Sequence, residues 1–302
     1  MENAISKKLF QDYTNFLNLE LNKYGLKLNA QKKTPTDIAL AYFNWQKKLI
    51  SSTPRKVYIS NELQCPTHLK SAFENLIESL KNGKDVTGYL SRNINHVSRH
   101  DFLLYDWGIH HLHFYDFNIT KKRSGELLYV FFNQNSAYLL DIKNHDSFAD
   151  TDLLEILDSN WSHITDPLWI KNAIGLSQKV TDKDRIILRK ANINVPVVLK
   201  NRKCLMSMFL GEGITSSGDS SYSSNKLLDI QRAFDDIGEY IEKVITHNID
   251  IALEPIFNKH SKFYLAQSDN FGWCIFNPKT DIHITLDDLQ NKIHLHKNIE
   301  VY

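Results

Sequence analysis

The sequence predicts an α+β fold: an N-terminal helical hairpin, a central small antiparallel sheet with flanking helices, and a second α+β unit at the C-terminus. Three observations carry this. Apolar residues recur at helical spacing through the first 55 residues. The period shifts toward two between about 108 and 144. Helix-like and strand-like stretches then mix to the end of the chain.

In order, residues 4 to 27 place Ile5, Leu9, Tyr13, Phe16, Leu17 and Leu21 on one helical face, and Gly25 is the expected stop. "TPTDIALAYFNWQKKLI" restarts a helix, with Thr36 as its expected cap and "SSTPR" as its end. "RKVYIS" reads as a short strand or an extended link. "CPTHLKSAFENLIESLKNGKD" is a helix with Leu69, Phe73, Leu76, Ile77 and Leu80 as its stripe and Gly83 beyond it. "DVTGYLSRNINHVSRHD" reads as a shorter helical piece. "GIHHLHFY", "GELLYVFFN" and "SAYLLDIKN" alternate as three strands, the last two joined by the polar turn "NQNS". "DTDLLEILDSNW" returns as a helix whose acidic first turn suits the positive end of its dipole. Beyond it lie a short helix or turn with strands, a Gly and Ser rich loop, the long helix in "NKLLDIQRAFDDIGEYIEKVITHNID", and strand-like "KFYLAQ", "GWCIFN" and "DIHITL". The expected domains are 1–55, a helical hairpin; 56–165, a central α+β domain with the histidine-rich strand; and 166–302, a C-terminal α+β domain.

Composition narrows the function. A formal net charge of +1 argues against a general nucleic-acid coat protein, which needs a strong basic excess, but leaves room for a local basic cleft. Three scattered cysteines without a CxxC pair argue against a disulfide framework or a thiolate zinc site. The absence of a signal-like N-terminus and of any membrane-length apolar run predicts a cytoplasmic protein without membrane contact. "LGEGITSSGDSS" is neither a phosphate loop nor a dinucleotide fingerprint, and its serines have no base beside them. Cys204 and Cys274 sit in apolar strands. Cys65 stands three residues before His68 near a helix start, a spacing that does not normally assemble a dyad. Trp107, Trp161, Trp169 and Trp273 are expected to be core or interface anchors.

"DWGIHHLHFYDF", residues 106–117, concentrates the chemistry. Histidine exchanges protons near neutral pH and also binds metals. In an ideal strand His111 and His113 share one face with Tyr115, while His110 shares the other with Leu112 and Phe114. The first pair is expected to look outward into solvent or a cleft, and His110 to be structural. Metal binding would need a third ligand, for which His96, His100, Asp101, Asp106 and His145 are candidates; "HVSRH" is not HExxH. Without a metal, and with no cofactor, RNA cleavage needs a base for the 2′-hydroxyl, an acid for the leaving oxygen and a cation at the phosphate. His111, His113 and His145 are the candidate acid and base, Arg123 the candidate cation, and Tyr129 a candidate to orient a phosphate or stack on a base. Lys121, Lys122 and His100 are the candidate substrate-binding residues.

The stretch "HLHF…RSGELLYVFFNQNSAYLLDIKNHDSF…DLLEIL", about residues 107–157, resembles the central hairpin of bacterial toxin ribonucleases of the RelE and HigB type. The resemblance implies a small antiparallel sheet with helices on one face, cleavage of mRNA or ribosome-associated RNA, and an inhibitory protein partner. It places His113 on the first strand, Arg123 or Tyr129 around the second, and His145 after the third. Three classes stay open: a metal-independent ribonuclease or related phosphodiester-cleaving enzyme; a non-enzymatic interaction module whose histidines and aromatics meet a partner; and a metal-dependent hydrolase.

Overall fold

The structure is a computed structural model. It describes residues 3–26, 28, 34–173, 175–247, 249, 250, 252–254, 256–268 and 272–287. In chain order its elements are α1 (Ala4–Lys23), α2 (Pro35–Lys48), β1 (Lys56–Ile59), α3 (Lys70–Lys81), α4 (Phe102–Trp107), β2 (Ile109–Leu112), α5 (Phe117–Thr120), β3 (Glu126–Phe132), β4 (Ser136–Asn144), α6 (Asp152–Thr165), α7 (Asp182–Lys190), β5 (Val197–Val198), β6 (Cys204–Leu205), α8 (Met208–Gly211), α9 (Ser221–His247), β7 (Tyr264–Ser268), β8 (Gly272–Asn277) and β9 (Ile282–Thr285). The α+β class holds, with an N-terminal helical pair, a central sheet and a C-terminal helix-and-sheet region. Thr34 rather than Thr36 caps α2: its hydroxyl accepts from the Asp37 N–H, and the Asp37 carboxylate accepts back from the Thr34 N–H. Pro35 then occupies the first helical position, where no N–H is needed. The stretch expected as a short helix before α4 is two 3₁₀ turns, Thr87–Tyr89 and Arg92–Asn95.

Contacts gather the chain into two units, Met1–Phe43 with Ser224–Tyr302, and Asn44–Ser223. The sequence reading cut the chain into three consecutive segments. A discontinuous unit forms because the α1 stripe cannot be buried by α2 alone. Leu9, Tyr13 and Leu17 of α1, Phe43 of α2, Phe234, Ile237 and Ile241 of α9, and Trp273 and Ile275 of β8 share one core. Each such side chain contributes about 1.5–3 kcal/mol when fully buried. Trp273 packs its ring 5.3 Å from Tyr13 and 4.9 Å from Phe16. Gly238 lets α9 meet α1 closely, since a Cβ there would lie 2.2 Å from Ser6 Oγ.

In Asn44–Ser223 the sheet runs β1-β4-β3-β2. It is mixed, not antiparallel throughout, because β1 joins the outer edge of β4 in parallel. The β3–β4 hairpin forms where expected, and its register shifts between Tyr129 and Val130, skipping Leu140. Leu127, Leu128, Tyr129 and Val130 are all fully buried, so β3 is covered on both faces. On one side Ile109, Leu127, Tyr129 and Leu140 share a core with Leu153, Leu154 and Leu157 of α6 and with Val197 and Leu205. The edge strands are β1 and β2, and the histidines lie on β2.

Candidate active site

Along the β2 edge lies a cavity of about 470 Å³, walled by the 3₁₀ turns before α4, the first turn of α4, β2, the turn after β4, and α7. Its size suits a small organic ligand. Its polar lining holds the imidazoles of His100, His110, His111 and His145, the cations Lys48, Arg99, Arg189 and Lys190, and the carboxylates Asp101 and Asp146.

Local rules of chain geometry deliver these groups. Asp101 caps α4, its Oδ1 accepting from the Leu104 N–H at 3.1 Å. The other carboxylate oxygen faces His111 Nδ1 at 3.8 Å. Gly108 ends α4 in the left-handed region (φ 66°) and turns the chain into β2. A Cβ at Gly108 would sit 2.6 Å from the Leu210 carbonyl oxygen, so glycine is required there for space as well as for conformation. His111 pairs with Tyr129 across the sheet, and its ring meets the Phe148 ring edge-on at 4.9 Å. His145 opens the 3₁₀ turn after β4 and packs 6.2 Å from the same Phe148 ring. The two imidazoles therefore flank one phenyl group.

The predicted residues divide. His111, His145 and His100 line the cavity. His113 does not look outward. The strand ends at Leu112, the His113 N–H donates to the Tyr89 carbonyl, and only 5% of the residue is exposed. Its Nδ1 lies 3.2 Å from the Ser124 carbonyl oxygen, which can only accept. Nδ1 thus carries the proton and Nε2 is the basic nitrogen. His113 still stands 5.5 Å from the His145 ring, so it backs the site without lining the cavity. His110, expected to be structural, lines the cavity while its ring meets Phe132 edge-on at 5.4 Å. The sequence prediction of one core face failed because both sheet faces are covered and the edge strand opens onto the cavity.

Arg123 is not among the cavity's cations. Its Nη1 donates to the Gly88 and Leu90 carbonyls, and its guanidinium stacks 4.6 Å from the Phe117 ring. Its positive charge is nonetheless felt at His113. Lys121 and Lys122 are exposed beyond α5, a helix that forms because Asp116 caps it, and neither lines the cavity. Tyr129 is fully buried and its hydroxyl donates to the Asn144 carbonyl at 3.0 Å, so it has no face for a base. Asp106, a candidate metal ligand, is buried in an ion pair with Arg189 at 2.8 Å. Trp169 is 43% exposed rather than a core anchor. His68, beside Cys65 in sequence, faces Glu126 at 3.3 Å, and burial raises the Cys65 thiol, against a nucleophilic role.

Burial favours the neutral form of His110, His111 and His113. Burial lowers His111, opposed by Asp101 and reinforced by His145. Burial also takes His110 and His113 down to about 4. Lys48 falls to about 8 through burial, against the pull of Asp101. Its Nζ donates to the carbonyls of His96 and Arg99. Among the described residues no three or more His, Cys, Asp and Glu side chains gather as a metal site.

The sequence reading missed Lys48, Arg99, Arg189 and Lys190 as the site's cations, and Asp101 as the partner of His111. Arg185 and Arg189, four apart in "DRIILR", share a helix face, but that spacing reads equally well as a solvated face. No family model, curated protein or solved structure matches the chain.

Proposed function

We propose that this chain is a metal-independent phosphodiester-cleaving enzyme acting on RNA. The observation that carries this reading is the meeting of His111, backed by Asp101, with His145 in one cavity lined by four cations. His111 is held neutral near pH 7 and acts as the base. It takes the 2′-hydroxyl proton, the 2′-oxygen attacks phosphorus, and the bond from phosphorus to the 5′-oxygen breaks. His145 serves as the general acid, giving a proton to that oxygen. The products are a 2′,3′-cyclic phosphate and a 5′-hydroxyl end. Asp101 stabilises the imidazolium formed on His111, and Arg99 and Lys190 offset charge on the phosphate. His113 acts through His145 as a positioning residue.

The reading includes a cytoplasmic setting and, by the RelE and HigB resemblance, a toxin-like role with an inhibitory protein partner. No helix among the described residues is long and apolar enough to cross a membrane. The interaction-module reading draws less support, because Tyr105, Trp107 and Phe114 of the histidine region are turned inward.

The test is cleavage of a short RNA with chelator present. Wild type should yield a cyclic-phosphate end, and His111→Ala and His145→Ala should each slow it by about 10²-fold or more. Arg123→Ala should act weakly. Equal cleavage by both histidine variants, or no cleavage by folded wild type, removes the proposal; activity that needs added metal moves the protein to the hydrolase class.

A further inference from the structure

The interior of Asn44–Ser223 carries an unbalanced charge. Lys48, Arg55, Arg185 and Arg189 are buried, as against two buried carboxylates, Asp106 and Asp158, and Asp106, 1% exposed, is the one paired with Arg189. Arg185 and Arg189 both lie over the Trp107 ring, at 5.5 and 4.2 Å. Arg185 donates from its Nη1 and Nη2 to the Val195 and Pro196 carbonyls, keeps a buried Nε without a partner, and does not line the cavity. Arg189 does line it. Its Nε donates to Asp106 Oδ2 and its Nη1 to the Phe148 carbonyl, while its Nη2 and the Asp106 Oδ1 are both buried without a hydrogen-bond partner. A buried guanidinium N–H without a partner costs the fold free energy.

We propose that Arg189 is the anchor of an anion subsite that takes the phosphate of a nucleotide-sized ligand. A guanidinium presents a planar fork matched to a phosphate's oxygens. The charges of Lys48, Arg99 and Lys190 in the same lining add to the attraction, and outnumber Asp101 and Asp146. The His100 and Phe102 rings, stacked at 5.7 Å and 11° apart in plane, offer a flat wall for a base. This subsite does not depend on cleavage by the histidines. It would hold a phosphate in a protein that binds nucleotides and cleaves nothing.

Binding is therefore the readout, by calorimetry at low salt with adenosine 5′-monophosphate and inorganic phosphate as probes and adenosine as the uncharged control. Wild type should bind the monophosphate saturably and adenosine far more weakly. Arg189→Met alone strands Asp106, so the variant used is Asp106→Leu with Arg189→Met, which replaces both buried charges by apolar groups. It should weaken monophosphate binding by about ten- to a hundred-fold. Ile186→Glu places a carboxylate at the lining from a position already 38% exposed, and should weaken binding similarly without disturbing the core. If the double variant fails to fold, Ile186→Glu decides. Absence of saturable binding by wild type, equal affinity for adenosine, or unchanged affinity in the folded variants each overturns the subsite. Binding without RNA cleavage would sink the nuclease reading and leave this one standing.

Discussion

The two compact units bury their sequences differently. In Met1–Phe43 with Ser224–Tyr302, the described core is nearly all hydrocarbon and aromatic ring, and its buried polar side chains, Ser6, Thr14 and Asn277, are uncharged. In Asn44–Ser223 the interior also holds Lys48, Arg55, Asp106, His113, Asp158, Arg185 and Arg189. Buried charge is costly unless paired, and a fold made for stability alone avoids it. The unit that accepts the cost is the one with the histidine-lined cavity. The difference separates a unit held by apolar burial from one that carries buried charge at a cost in stability.

The contrast can be broken or sharpened in four ways, from the largest effect down. Arg189→Met alone should destabilise Asn44–Ser223 by about 3–5 kcal/mol, because Asp106 stays buried without its partner. Urea unfolding of this variant beside Asp106→Leu with Arg189→Met should show most of the loss recovered in the pair; equal losses would mean the ion pair is not the cause. Ile237→Ala, in the apolar core of the other unit, should cost about 2–5 kcal/mol with no partner substitution of this kind to recover it. RNA cleavage per folded molecule should be unchanged in Ile237→Ala.

Acid is the third probe. His110 and His113 bind protons at about 4 in the fold, below the ordinary 6.5, because burial disfavours their charged forms. Between those values the unfolded chain holds the extra protons. Stability is therefore full above about pH 6.5 and declines as pH falls toward 4, on the order of 3 kcal/mol for each histidine. Urea midpoints across that range should fall, and His113→Asn should flatten the slope by about one proton. A slope unchanged by His113→Asn would show that this ring does not titrate as its burial implies. The smallest structural effect belongs to Asp101→Asn. Asparagine caps a helix as well as aspartate, so unfolding should shift by less than about 0.5 kcal/mol. Loss of the charge 3.8 Å from His111 should still slow cleavage and move the acidic limb of the pH profile, which His111 sets as the base, to lower pH. If rate and profile stay put, Asp101 is only a cap.

Much of the fold could be read in advance where one local rule sufficed. "NQNS" between two apolar runs marks the β3–β4 turn, and the stripe from Leu69 to Leu80 marks α3. The site was legible only in part. His111, His145 and His100 were found because histidines clustered at the end of a helix and along a strand are uncommon and visible. His113 was misjudged because alternation assumes that a strand continues, and β2 stops at Leu112. Arg123 and Tyr129 suited the chemistry by residue type, but one is tied to backbone carbonyls and the other is enclosed by both sheet faces. Arg189 was overlooked because its partner Asp106 is 83 residues away.

The amino-acid order alone determined the helical and extended stretches, the hairpin, the caps and the concentration of imidazoles near residue 110, since those depend on side-chain period and on neighbours a few positions apart. Tertiary packing alone decided that α1 and α9 share a core, that β1 closes the sheet in parallel, and which cations face the histidines. Those outcomes depend on groups brought together from distant parts of the chain, where burial and charge pairing set the energy and no local pattern records the match.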